Sequence, residues 1–228
     1  MISVALIGAD GAGKTTIARK LEKNFEHPIK YLYMGVSMSS SNAALPTSRL
    51  AYWVKRKISK KKGVKMEEGP PVNADGTIKR KKKSGLRSVL RLANRLAEEW
   101  YRQYLSWKFR RQGNVVIYDR HFQFDYGDDG ISKNGHDARV TDRIHHWLLA
   151  NWYPSPDLVI FLDAPGEVLF ARKGEGNVEY LEARRQAFLK QGEHIPNFVR
   201  VDATQSLEMV YSQVSERIMA CFQRKKSN

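Results

Sequence analysis

Eight residues near the start of the chain, Gly8-Ala9-Asp10-Gly11-Ala12-Gly13-Lys14-Thr15, match the pattern G-x-x-x-x-G-K-[ST] without a gap. The pattern carries meaning only where a strand precedes it and a helix follows. Ile2 to Ile7 is an apolar run of the length and character of a buried parallel strand. Lys14 to Phe25 places Ile17, Ala18, Leu21 and Phe25 at the spacing of one helix face. Glycines here let successive backbone N–H groups turn inward as an anion-binding nest, and the helix adds its positive end. Gly8, Asp10, Gly11, Ala12, Gly13, Lys14, Thr15 and Thr16 are therefore the expected nucleotide-binding set. Lys14 is expected on the β and γ phosphates and the Thr15 hydroxyl on the metal, with ATP and Mg²⁺ as the ligands.

Short apolar runs recur along the chain. Ile29–Met34, Val115–Tyr118, Leu158–Leu162 and Asn197–Val201 read as four further strands. Between them lie helical patterns: a short one over Arg49–Ile58, a long one from Leu86, then Arg139–Trp152, one ending near Lys173-Gly174, Val178–Lys190 and Leu207–Phe222. In the long helix, Leu86, Val89, Leu90, Ala93, Leu96, Trp100, Tyr104 and Trp107 make the expected buried face. Gly35–Ser48 and Asp125–Asp137 read as loops. The alternation predicts an α/β fold of the P-loop NTPase type: a doubly wound, mainly parallel five-stranded sheet flanked by helices, in one domain over 1–228. Ligands of such sheets sit beyond the carboxyl ends of the strands, where Gly8, Asp119 and Asp163 all fall.

The 228 residues carry a net charge of +15, which is unevenly placed. Lys55 to Arg87 holds thirteen Lys or Arg against Glu67, Glu68 and Asp75, ten of the fifteen net positive charges. Residues 55–86 thus read as a basic, mobile insert, too poor in apolar residues to bury itself. A solvated loop, an anionic membrane surface and a nucleic acid are three readings of its lysines, the last without any base-reading module. One cysteine, Cys221, forms no internal disulfide, and no run approaches the roughly 20 apolar residues of a membrane span. A cytoplasmic protein is expected, with peripheral attachment to a membrane as the alternative.

The [NT]-K-x-D guanine element and the L-S-G-G-Q transporter signature are both missing, which leaves phosphoryl transfer to a small acceptor as the expected chemistry. The chain resembles the thymidylate kinases, a family of nucleoside monophosphate kinases. The resemblance rests on the phosphate loop with an acid at its third position and on Asp119-Arg120-His121 at a strand end. Pro156-Asp157-Leu158 through Leu162-Asp163-Ala164-Pro165-Gly166-Glu167 is a third match, and Val201-Asp202-Ala203 fits as well. It implies that Asp10 faces the acceptor, that Arg120 bridges the two phosphates, and that Arg172 is the arginine of a lid over 172–178. Arg184 and Arg185 are alternative lid donors. It also implies a homodimer. Asp119 reads either as a general base close to the metal or as a cap that orients Arg120.

Two departures fall on the acceptor side. Where the family has an R-E-P-G-G-type element, this chain reads Met34-Gly35-Val36-Ser37-Met38, and Phe124 replaces a serine after Asp119-Arg120-His121. A nucleoside monophosphate such as dTMP is the expected acceptor; a sugar or lipid-linked acceptor, or an ATP-switched binding protein, are the alternatives. Asp163 is expected as a turn residue or an indirect partner of the metal. His121, His145 and His146 lack the spacing of a metal site and are expected in structural roles. Trp100, Tyr101, Tyr104 and Trp107 are expected in the core, with stacking on an acceptor ring as the alternative.

Overall fold

The computed structural model describes residues 1–35, 42–46, 48, 49, 53, 57, 85–127, 140–174 and 176–227. Most of the basic insert and most of the loop Asp125–Asp137 lie outside these residues. Five short strands form the centre: β1 (Ser3–Ile7), β2 (Ile29–Tyr33), β3 (Val115–Asp119), β4 (Leu158–Asp163) and β5 (Phe198–Asp202). Their order is β2-β3-β1-β4-β5, and every pairing is parallel. Parallel neighbours require a crossover, and helices supply it. They are α1 (Lys14–Asn24), α2 (Gly85–Arg111), α3 (Phe122–Gly127), α4 (Val140–Trp152), α5 (Gly166–Lys173), α6 (Val178–Gly192) and α7 (Leu207–Ser227).

β1, β3 and β4 are buried along their whole length, because alternate side chains enter separate cores on the two faces. Val4, Leu6, Ile117 and Ile160 pack with Ile17, Ala18 and Leu21 of α1 and Val210, Val214 and Ile218 of α7. Ala5, Ile7, Val116 and Phe161 pack on the other side with Phe122, Leu149, Tyr153 and Phe188. The sheet is therefore covered on both faces, and its carboxyl edge is the place left for a ligand.

Two expectations change. Phe122–Gly127 is helical, so Asp125, Tyr126 and Gly127 of the expected loop belong to the short α3. Phe122 and Phe124 are both buried there, and the chain cannot leave the sheet until they are covered.

The larger correction concerns α2. Val89, Leu90, Trp100, Tyr104 and Trp107 are 46–61% exposed, whereas Glu98, Glu99, Arg102, Gln103 and Ser106 are buried. The helix is amphipathic as expected but turned over. Most of its polar face is tolerated inside because specific partners receive it, with Gln103 Nε2 left unpaired. Glu99 accepts from His145 Nε2 at 2.8 Å, Arg102 donates to the Gly35 and Ala43 carbonyls at 2.6 and 3.1 Å, and Ser106 Oγ lies 2.6 Å from the Tyr118 hydroxyl.

Candidate functional site

The loop between β1 and α1 is shaped by its glycines. Gly8 and Gly11 have φ of 148° and 91°, and each is also pressed against a neighbouring backbone. A Cβ would stand 2.7 Å from the Leu162 carbonyl oxygen at Gly8 and 2.6 Å from that of Leu169 at Gly11. Only glycine fits both the conformation and the space. Gly13 caps α1 in the left-handed region and offers no side chain to the first-turn N–H groups, which leaves those donors for a ligand.

Lys14 is 5% exposed and lies back over this loop, donating to the Gly8 and Ala9 carbonyls at 2.8 Å each. Thr15, one residue on and exposed, donates its hydroxyl to Asp119 Oδ2 at 2.6 Å. Asp119 ends β3 beside β1, paired with Leu6, and this register brings a residue 104 positions away onto the first turn of α1. The same oxygen accepts from the Tyr31 hydroxyl at 2.9 Å, while Oδ1 is buried with no hydrogen-bond partner. An unpartnered, buried carboxylate oxygen next to a threonine hydroxyl is a cost that a ligand can relieve. Burial and the adjoining Asp119 carboxylate push the Tyr31 phenol above its ordinary value, so it remains a donor.

Arg120 follows with φ of 68°, a conformation that a non-glycine residue adopts only when its surroundings hold it. Its backbone N–H donates to the Leu6 carbonyl at 3.1 Å, and its guanidinium pairs with Asp10. Gly35 is close by, where a Cβ would meet Arg120 Cδ at 2.7 Å. Burial pushes the Asp10 carboxyl up, but the charges of Arg120, Lys14, Lys173 and Arg184 outweigh it and hold the group below its ordinary value. Asp10 thus lies in the field of four cations, an electrostatic setting suited to a polyanionic ligand.

The remaining residues sort themselves by partner. Arg172 donates to the Ala203 carbonyl at 2.8 Å, on the β5 side. Arg185 grips Asp163 at 2.5 Å and Glu182 at 2.8 Å, and Arg200 donates to Asp163 at 2.7 Å. Asp163 is therefore the anchor of an arginine clamp that ties β4, β5 and α6 together. The stretch 172–178 spans the end of α5, a short turn and the first residue of α6, where Asn177 accepts from the Tyr180 N–H at 2.7 Å. Thr16 is exposed on α1. His145 is paired with Glu99, and His121 is fully buried among Tyr118, Phe124 and Tyr153.

Tyr31 and Lys173 were not singled out by sequence reasoning. Tyr31 lies in an ordinary apolar strand and carries no motif; only strand register sets it against Asp119. Among the described residues, no helix is long and apolar enough to cross a membrane. No protein-family model matches the chain, and no curated protein matches it.

Proposed function

We propose that this chain is a P-loop phosphotransferase that moves the γ-phosphoryl group of ATP to a small acceptor, a nucleoside monophosphate such as dTMP first among them. The observation that supports it most is the convergence of Lys14, Thr15, Asp119, Asp10 and Arg120 at one carboxyl edge, four of them held in two pairs by direct contacts across more than a hundred residues of chain. Phosphoryl transfer asks a protein mainly for in-line positioning and for neutralisation of charge, which is what such a set can supply.

In this reading the Gly8–Thr15 backbone and the α1 N-terminus hold the triphosphate. The Lys14 ammonium leaves the loop carbonyls for phosphate oxygens. The Thr15 hydroxyl would hold Mg²⁺, with Asp119 fixing the direction of that hydroxyl; bound there, the ion supplies charge neutralisation on the phosphates. Arg120 would bridge donor and acceptor phosphates, and Asp10, kept ionised by its cations, would orient the acceptor hydroxyl. Lys173 and Arg184, whose charges already reach Asp10, would close over the triphosphate in place of Arg172. Arg184→Ala should accordingly weaken binding of a non-hydrolysable ATP analogue by about tenfold, a change of about 1.4 kcal/mol. Arg172→Ala should leave that binding unchanged in calorimetric titration; the reverse result would return the lid role to Arg172.

A sugar or lipid-linked acceptor is the second reading. It is favoured by Phe124, which is buried against His121 where the resembling family presents a hydroxyl. The deciding experiment is ADP release from ATP and Mg²⁺ with dTMP, dUMP, CMP and UMP as separate acceptors. Stimulation by a nucleotide well above the acceptor-free rate is the expected result. A flat response to all four, with ATP still bound, would discard the nucleotide acceptor. Absence of ATP binding would discard the phosphotransferase itself.

A further inference from the structure

Thr15, Arg19 and Glu22 are spaced to share one face of α1, and each takes part in a closed circuit of contacts with β2 and β3. The residue that closes the circuit is Tyr31, 4% exposed in β2. Glu22 Oε1 accepts from the Tyr31 backbone N–H at 3.2 Å, and Glu22 Oε2 accepts from Arg19 at 3.1 Å. The Arg19 guanidinium lies 3.8 Å from the centroid of the Tyr31 ring. At the far end of that ring the hydroxyl donates to Asp119 Oδ2, the same oxygen that accepts from Thr15.

Packing does not require that hydroxyl. Tyr31 belongs to the apolar cluster of Leu6, Ile17, Leu21 and Ile117, where phenylalanine would fill the same place. A buried hydroxyl is a cost unless it is bonded, and this one is bonded to a carboxylate that is itself 1% exposed. With Thr15 as its sole partner, the Asp119 carboxylate could turn about its last side-chain bond, a torsion with broad minima. A second donor on the same oxygen holds the carboxylate plane, and with it the direction in which Thr15 gives its proton. A threonine hydroxyl whose proton is committed in this way has its lone pairs left to offer elsewhere.

We propose that Tyr31 is a positioning residue for the metal–nucleotide complex. Held by Arg19 and Glu22, its hydroxyl fixes Asp119, and Asp119 in turn sets the Thr15 oxygen for the cation. Tyr31 acts through Asp119 and not on the ligand itself. Groups that orient a metal site from behind its ligands are worth about 10–100-fold in metal affinity. The proposal rests on the phosphotransferase reading for its ligands and goes beyond it in giving a strand residue outside every motif control over cation affinity.

The test reads metal binding and not turnover. Mn²⁺, followed by the paramagnetic resonance signal of the free ion, is titrated into protein held in excess over a non-hydrolysable ATP analogue. Tyr31→Phe should lower the Mn²⁺ affinity of that complex by about tenfold. Calorimetry in EDTA should show the metal-free analogue bound as in wild type. Thr15→Val, which removes the hydroxyl that Asp119 directs, should lower Mn²⁺ affinity at least as far. Arg19→Met, at a half-exposed side chain, should lower it by about threefold, the scale of an exposed cation–ring contact. Unchanged Mn²⁺ affinity in Tyr31→Phe would overturn the proposal; if thermal melts show that variant unfolded, unchanged affinity in Arg19→Met would do so. Equal losses of metal-free and metal-loaded binding would also overturn it, as the mark of a residue that only supports the fold. A wild-type chain that binds the analogue but gains no Mn²⁺ affinity over the free analogue would remove the metal site alone. One that binds no analogue would overturn the phosphotransferase reading as well.

Discussion

Lys14→Met is expected to lower kcat/KM for phosphoryl transfer by at least about 10²–10³-fold, the scale of removing one preorganised donor from a developing charge. Methionine keeps the unbranched stem in a position that is only 5% exposed, so packing should survive. What disappears is the ammonium group. In the ligand-free protein that group donates to the Gly8 and Ala9 carbonyls, and its loss leaves two acceptors to find water, at a cost of about 1–3 kcal/mol. The loss in rate is a separate effect, because the charge is needed on the phosphates during transfer. Stopped-time ADP measurements on wild type and variant, with thermal melts alongside, separate the two effects. A variant that melts normally and retains a tenth of the activity would sink the assigned role of Lys14.

Acid should destabilise this protein earlier than its carboxylates alone would allow, through His121. Complete burial in the cage of Tyr118, Phe124 and Tyr153 pushes its imidazole from 6.5 down to about 3, and neither ring nitrogen has a hydrogen-bond partner. The folded state thus keeps the ring neutral while the unfolded chain takes up a proton below pH 6.5. The stability due to neutrality is complete above that value and is lost as pH falls towards 3, at about 1.4 kcal/mol per pH unit. Asp10, Asp157, Glu182 and Asp202 also titrate below their ordinary values in the fold, yet their losses begin only near and below 3.8 to 4.5. The interval from pH 6.5 to 5 therefore reports on His121, with about 2 kcal/mol at stake. Urea midpoints at pH 7.5 and 5 should converge in His121→Phe, or in His121→Leu if phenylalanine overfills the cage. Because other titrating groups are common to both proteins, an equal fall in wild type and in both variants would refute the assignment.

These two residues also mark what could be read from the chain and what could not. Lys14 was legible because a phosphate nest is a local object. Its glycines, its lysine and its helix start are contiguous, and each is demanded by backbone geometry within eight residues. The five strands were legible for a similar reason: strands of a covered parallel sheet are short, largely apolar runs, and all five lie within a residue or two of where the pattern puts them. The strand-end acid Asp119 could be nominated by its position alone.

Its neighbours could not. That Asp119 faces Thr15 and Tyr31, that Arg120 reaches Asp10, and that the charges of Lys173 and Arg184 bear on Asp10 all follow from register and crossover, which bring together groups far apart in the chain. The face of α2 is the sharpest case. Periodicity reports that a helix has two unlike sides but not which one the fold will cover. Apolar surface alone argues for burying Trp100, Tyr104 and Trp107. The polar side wins inside because His145, the Gly35 and Ala43 carbonyls and the Tyr118 hydroxyl stand ready to satisfy Glu99, Arg102 and Ser106. A buried polar group costs little once it is fully paired, and those partners exist only in the assembled tertiary structure.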